Sequence, residues 1–132
     1  MMRLNVRTRR RSEFVDITGD VMKAVEQKGV TEGMVLIYCP HTTAGITINE
    51  NADPSVPRDI IMKTSELIAR DDPNFRHGEG NSDSHIKSSL VGASETVIIE
   101  KGKLVLGTWQ GIFFAEFDGP RSRHVLLKII PG

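Results

Sequence analysis

The residues able to do chemistry are bunched into four short polar segments. They are Cys39-Pro40-His41-Thr42-Thr43, Asn49-Glu50-Asn51-Ala52-Asp53, the stretch from His77 to Ser89, and Asp118-Gly119-Pro120-Arg121 with Arg123 and His124 after it. Imidazole titrates near neutrality and is the commonest metal ligand. His41, His77 and His85, joined by a carboxylate from Glu50, Asp53 or Glu79, have the donor types of a divalent site for zinc or magnesium. His77 and His85 stand eight positions apart, which matches no metal signature. Either ring would serve equally well as a loop side chain bonded to backbone, and spacing does not choose. His124 lies within a strand and reads as structural.

A second set of groups suits an anion. Thr42, Thr43, Ser84, Lys87, Ser88, Arg121 and Arg123 supply hydroxyls and cations near the histidines in the chain. Gly78, Gly80 and Gly119 would let backbone N–H groups approach a ligand closely. Such donors fit a phosphate or a carboxylate, and the same residues scattered over a surface would be ordinary polar cover. Other chemistries drop out. His77-Gly78-Glu79 has the His-x-Glu half of a zinc deaminase signature, but Cys39 is the only cysteine. Gly78-Glu79-Gly80 lacks the third glycine and the preceding strand of a dinucleotide fingerprint. There is no phosphate-binding Gly-x-x-x-x-Gly-Lys loop and no Gly-x-Ser-x-Gly elbow.

These segments need a frame, and the rest of the chain reads as one. Residues 2–8 alternate as a half-buried strand, Arg9 to Ser12 make a solvated basic turn, and 13–17 form a second short strand. Thr18 is the expected N-cap of a helix that Gly29 closes, with Val21, Ala24 and Val25 on its inner face. Residues 33–39 are apolar throughout and read as a strand covered on both faces, as do 112–117 and 125–130. Ile46 and Ile48 alternate with polar neighbours in another strand. A helix over about 57–70 presents Ile60, Ile61, Thr64, Leu67 and Ile68 as one stripe. The stretch from His77 to Ser89, with Ile86 as its one strongly apolar residue, reads as a polar loop. Strands near 95–100, 103–106, 109–117 and 123–130 follow as an antiparallel meander. Trp109 opens one of them and reads as a core or interface residue. The fold class is α+β: a largely antiparallel, sandwich-like sheet packed by two or three helices. Two helices cover only part of so much apolar strand, so the sheet either folds over itself or is covered by a symmetry mate.

Composition sets the outer limits. The 132 residues form one domain, with 17 basic and 17 acidic side chains and no net charge. No bulk field draws the chain to nucleic acid or an anionic membrane. No apolar run approaches the ~20 residues of a spanning helix. A lone cysteine fits a reducing compartment, so the expected location is cytoplasmic.

Taken together, His41-Thr42-Thr43-Ala44, Asn49-Glu50-Asn51 with Asp53 and Asp59, His77-Gly78-Glu79-Gly80-Asn81 and Ser84-His85-Ile86-Lys87-Ser88 resemble the YjbQ-like family. So do Gly107-Thr108-Trp109-Gln110 and Glu116-Phe117-Asp118-Gly119-Pro120-Arg121, and the resemblance spans nearly the whole chain. Ser84 departs from the alanine more usual before His85. The resemblance implies a compact homotrimer with a pocket near the subunit contacts. It also implies a secondary thiamine-phosphate synthase activity, joining a pyrimidine diphosphate to a thiazole phosphate with release of pyrophosphate. Under that reading Thr42, Thr43, Lys87, Ser88, Arg121 and Arg123 hold phosphate. His41, His77 and His85, with Glu50, Asp53 or Glu79, hold a metal or move protons. The rivals are a non-catalytic oligomer that binds a phosphorylated metabolite and a metal-dependent hydrolase.

Overall fold

The computed structural model describes every residue from Met1 to Gly132. The strands are β1 (Met2–Arg7), β2 (Glu13–Asp16), β3 (Gly33–Tyr38), β4 (Ala44–Glu50), β5 (Ser94–Glu100), β6 (Lys103–Leu104), β7 (Gln110–Glu116) and β8 (Ser122–Pro131). Helices α1 (Thr18–Lys28), α2 (Ser55–Leu67) and α3 (Ser82–Val91) lie between them. One five-stranded sheet runs β1-β8-β3-β5-β6 and a three-stranded sheet runs β2-β7-β4, every pair antiparallel. The α+β class expected from the sequence holds. The expected meander does not: β7 and β8 belong to different sheets. The turn at Asp118–Arg121 carries the chain from one sheet to the other.

The core lies between the sheets and α1. It gathers Val21, Ala24 and Val25 of α1 with Val35, Ile37, Ile46, Val97, Ile99, Ile112, Phe114, Val125 and Leu127. Strand alternation explains this membership, because in each strand every second residue faces inward. Gly29, at φ 69°, closes α1 in the left-handed conformation that a glycine tolerates. The start of α1 differs from expectation. Asp16, not Thr18, acts as the acceptor there: its Oδ1 takes hydrogen bonds from the Thr18 backbone N–H and hydroxyl. Thr18 Oγ1 in turn accepts from the Ile112 N–H and ties the helix to β7.

Three further expectations are corrected by burial. Helix α2 starts and ends earlier than its apolar stripe implies and buries no residue at all, with Leu67 76% exposed. It rests on the surface beside β4. Strand β7 is covered on both faces, as its sequence implies, but β3 and β8 are not. Their outer face carries Met34 and Ile130 in register with Ile98 of β5, all exposed. Finally, the supposed loop after Gly80 is helix α3. Its buried face is Asp83, Ser84, Lys87 and Ser88, and its exposed face carries Ile86 and Leu90. The helix is amphipathic with its polar side inward.

Candidate active site

The inward polarity of α3 follows from what it packs against. Asp83 accepts from both Nη atoms of Arg11 at 3.0 Å and from Lys87 Nζ at 2.9 Å. Burial alone would raise this carboxyl, but the hydrogen bonds and charges of Arg11 and Lys87 override it and bring its pKa to about 2. Ser84 Oγ donates to the Phe117 carbonyl, and Ser88 Oγ donates to the Thr42 carbonyl at 2.6 Å. The helix is thus pinned by hydrogen bonds to the segments before β4 and after β7. Gly45 makes the close approach workable, since a Cβ there would overlap the Gly92 carbonyl at the end of α3.

A second buried network stands where β7, β8 and the end of β1 meet. Glu116, on the same face of β7 as core residues Ile112 and Phe114, is fully buried. It pairs with Arg123 through Nε and Nη2 and accepts from Thr8 Oγ1 at 2.7 Å. Arg123 Nη2 also donates to Thr43 Oγ1 at 2.8 Å. The pair therefore fixes the Thr42-Thr43 segment from below.

Between these two networks lies a hollow of about 340 Å³, lined by Pro40, His41, Thr42, Thr43, Glu79, Asn81, His85, Asp118, Arg121 and Arg123. Apart from Pro40, every side chain that lines it is polar. A second recess of about 530 Å³ shares His41, Thr42 and His85 and continues along Ser88, Ser89 and Ala93. His41 and His85 stand where the two meet. Asn81 is buried, and its Nδ2 donates to Asp118 Oδ2 at 2.8 Å while its Oδ1 has no partner. Burial would raise the Asp118 carboxyl, but hydrogen bonds from Asn81 and Arg121 hold it below the usual carboxylate range.

The histidines form two edge-to-face pairs: His41 with His124 at 4.8 Å between ring centres, and His77 with His85 at 5.3 Å. His77 sits on the exposed side of its pair, with Nε2 3.8 Å from Glu79 Oε2. His41 reaches the backbone of His124, its Nε2 lying 3.1 Å from both the N–H nitrogen and the carbonyl oxygen. Burial, helped by Arg123 and His124, lowers the pKa of the His41 ring.

Of the residues expected at a site, the structure brings His41, Thr42, Thr43, Glu79, His85, Arg121 and Arg123 together, with His77 at the rim through its pair with His85. Ser88 lines the adjoining recess. Lys87 is buried against Asp83 and lines neither. Glu50 ends β4, whose first residue Ala44 adjoins the hollow, so seven extended residues carry it about 20 Å away. Asp53, just before α2, is taken up by a local turn in which its Oδ1 accepts from the Ser55 N–H and hydroxyl. No three His, Cys, Asp or Glu side chains converge so as to hold one metal ion in this chain. The sequence alone assigns no role to Asn81, Asp83, Glu116 or Arg11. Asp83 and Lys87 at i, i+4, with Ser84 and Ser88 beside them, was the available signal of one helical face.

The family model described as UPF0047 protein YjbQ-like matches residues 2–132. A UPF0047 protein of Methanocaldococcus jannaschii is 59% identical over 130 residues, covering 98% of this chain and 94% of that protein. YugU of Bacillus subtilis, another UPF0047 protein, is 53% identical over 127 residues, covering 96% of each. A crystal structure of an uncharacterised conserved protein from Clostridium acetobutylicum superposes with a TM-score of 0.96 at 54% identity, over 98% of this chain and 100% of that one. A protein of unknown function from Sulfolobus solfataricus does so at 0.94 with 36% identity, over 99% and 96%.

Proposed function

The chain belongs to the YjbQ-like UPF0047 family, and from that premise we propose that it binds a small phosphorylated metabolite in the hollow around His41 and His85. The observation that carries this reading is the convergence of three distant segments on a cavity lined, apart from Pro40, by polar side chains. A lining so polar favours a ligand that keeps many hydrogen bonds after leaving water. Thr42, the N-terminal turn of α3 behind Asn81, and the guanidinium of Arg121 are the donors for phosphate oxygens. Arg121 is half exposed and held only by Asp118, so its planar fork is free to turn to a ligand. Arg123 keeps Glu116 and orients Thr43. Lys87 acts at a distance, by holding Asp83 and with it the helix.

The catalytic form of this reading is a secondary thiamine-phosphate synthase activity, supported by the family resemblance. The thiazole nitrogen would attack the pyrimidine methylene carbon, a C–N bond forming as the C–O bond to diphosphate breaks and pyrophosphate departs. Arg121 and the α3 N-terminus would stabilise the leaving charge, and His85 would hand it a proton. His77, edge-on to His85, fixes the orientation of that ring. No three of the candidate donors converge on a single metal position, so these roles fall to side chains alone.

A homotrimer belongs to the same proposal. Met34, Ile98 and Ile130 form an exposed apolar row across three strands, with Leu36 and Leu126 half-buried beside it. An exposed row of this kind marks a contact surface. The test is calorimetric titration with inorganic pyrophosphate, followed by turnover with the pyrimidine diphosphate and thiazole phosphate. Binding without turnover favours the non-catalytic oligomer. Absence of binding removes the site.

A further inference from the structure

The ladder of β8 is finished by a side chain where β3 gives out. Strand β3 pairs with β8 only as far as Tyr38 opposite Leu126. Two residues further back along β8, the backbone of His124 directs both its N–H and its carbonyl to the same side, toward the vacated lane. The ring of His41 fills that lane, with Nε2 3.1 Å from each of the two groups. One imidazole nitrogen cannot accept and donate at once, so the two contacts are exclusive and the ring must choose a tautomer.

The choice is decided by which backbone group tolerates neglect. Unpartnered buried N–H groups are rarer in folded proteins than under-satisfied carbonyls, which have two lone pairs and find weaker partners. The Nε2 lone pair is therefore taken by the His124 N–H. We propose that His41 is fixed as the neutral Nδ1–H tautomer, and that this N–H is a hydrogen-bond donor to an acceptor oxygen of the ligand in the hollow. Nδ1 makes no hydrogen bond within the chain and is not among the buried unpartnered atoms, so it faces the open space that the ring lines. The groups around the ring agree. Arg123 below, His124 beside it and burial all disfavour a second proton, with Glu116 and the His124 carbonyl opposing them more weakly.

The chemical consequence is a division of labour between the two histidines of the hollow. With its Nε2 lone pair engaged and its Nδ1 protonated, His41 offers no lone pair to a metal or to a substrate proton. It is a binding residue that recognises a phosphate or carboxylate oxygen, and the moving proton is left to His85. This assignment rests on the ligand hollow proposed above, and the experiment separates the two.

The test is long-range 1H–15N correlation on 15N-histidine protein without ligand, with His41 assigned by its loss in His41→Asn. The expected result is a protonated, pyrrole-type Nδ1 and a pyridine-type Nε2 at pH 7.5. The reverse pattern, or a mixture of the two, overturns the proposal whatever the protein binds. Inorganic pyrophosphate is then titrated into parent, His41→Asn and His41→Gln proteins. His41→Asn keeps an amide donor near the Nδ1 position and is expected to bind within about threefold of the parent. His41→Gln moves that donor away and is expected to bind roughly tenfold or more weaker. Equal affinity in both variants overturns the ligand contact. The expected tautomer without pyrophosphate binding by the parent overturns the hollow as an anion site instead.

Discussion

Arg11 and Asp83, 72 residues apart in sequence, meet as a two-pronged ion pair with both N···O distances at 3.0 Å. The contact joins the turn between the first two strands to the helix that borders the hollow. Asp83 is fully buried and also holds Lys87. Asp83→Ala would leave a buried ammonium without a partner and should cost about 3–5 kcal/mol, read by urea denaturation.

The same carboxylate sets an acid limit. Its folded pKa is about 2 against an ordinary 3.8, so the unfolded chain takes up this proton first as pH falls. The stability it contributes, about 2 kcal/mol, is complete above pH ~4 and disappears as pH drops through about 2. Urea midpoints measured between pH 5 and pH 2 should fall more steeply for the parent than for Asp83→Asn. Parallel curves would count against the assignment.

Glu116 and Arg123 behave as a unit. Removing either partner alone, as Glu116→Met or Arg123→Met, should cost about 3–5 kcal/mol, whereas the double substitution should recover much of the loss. A double-mutant cycle from denaturation curves measures the coupling. Arg123→Met should in addition weaken pyrophosphate binding, because Thr43 loses its anchor.

His85→Ala should reduce pyrophosphate affinity or synthase turnover at least tenfold, while His77→Ala should have a smaller effect, since His85 lines the hollow and His77 does not. The His41 ring should titrate below the ordinary histidine value of 6.5, so its contribution to stability is present above that value and is lost as pH falls through the lowered one. An NMR titration of the ring protons gives this directly. A ring titrating above 6.5 would contradict the packing around it.

The outer row of the five-stranded sheet makes its own prediction. Ile98→Glu with Met34→Lys should convert the proposed trimer to monomers by light scattering, with the monomer's helical and strand content unchanged. A trimer that survives both substitutions uses a different face.

Helix α2 and the core should differ sharply in their sensitivity to substitution. Leu67→Ser should change stability by no more than about 0.5 kcal/mol, because that side chain is exposed. Leu127→Ala should cost about 2–5 kcal/mol, because it empties a site in the core cluster.

How far the sequence could be read follows from these particulars. Alternation placed Leu4 and Val6, Ile46 and Ile48, and a glycine closed α1, because each signal is local. The pairing of β7 with β2 and β4 was not legible, since the turn after Glu116 resembles any hairpin turn until its partners are known. Helix α3 was missed because apolar periodicity is the usual sign of a buried face, and its buried face has none. The hollow was half legible. His41, His85, Arg121 and Arg123 carry obvious chemistry, whereas Asn81 and Glu116 gain importance only from what surrounds them. Lys87 and Arg123 look like phosphate ligands in the sequence, because a sequence does not reveal where their counter-charges lie.

Helix α3 is fastened by ionic and hydroxyl contacts where most helices rely on aliphatic ones. The cost of stripping water from charges shrinks as temperature rises, while the gain from burying hydrocarbon levels off. Warming should therefore loosen α1, seated on valine and alanine, sooner than it loosens the wall of the hollow.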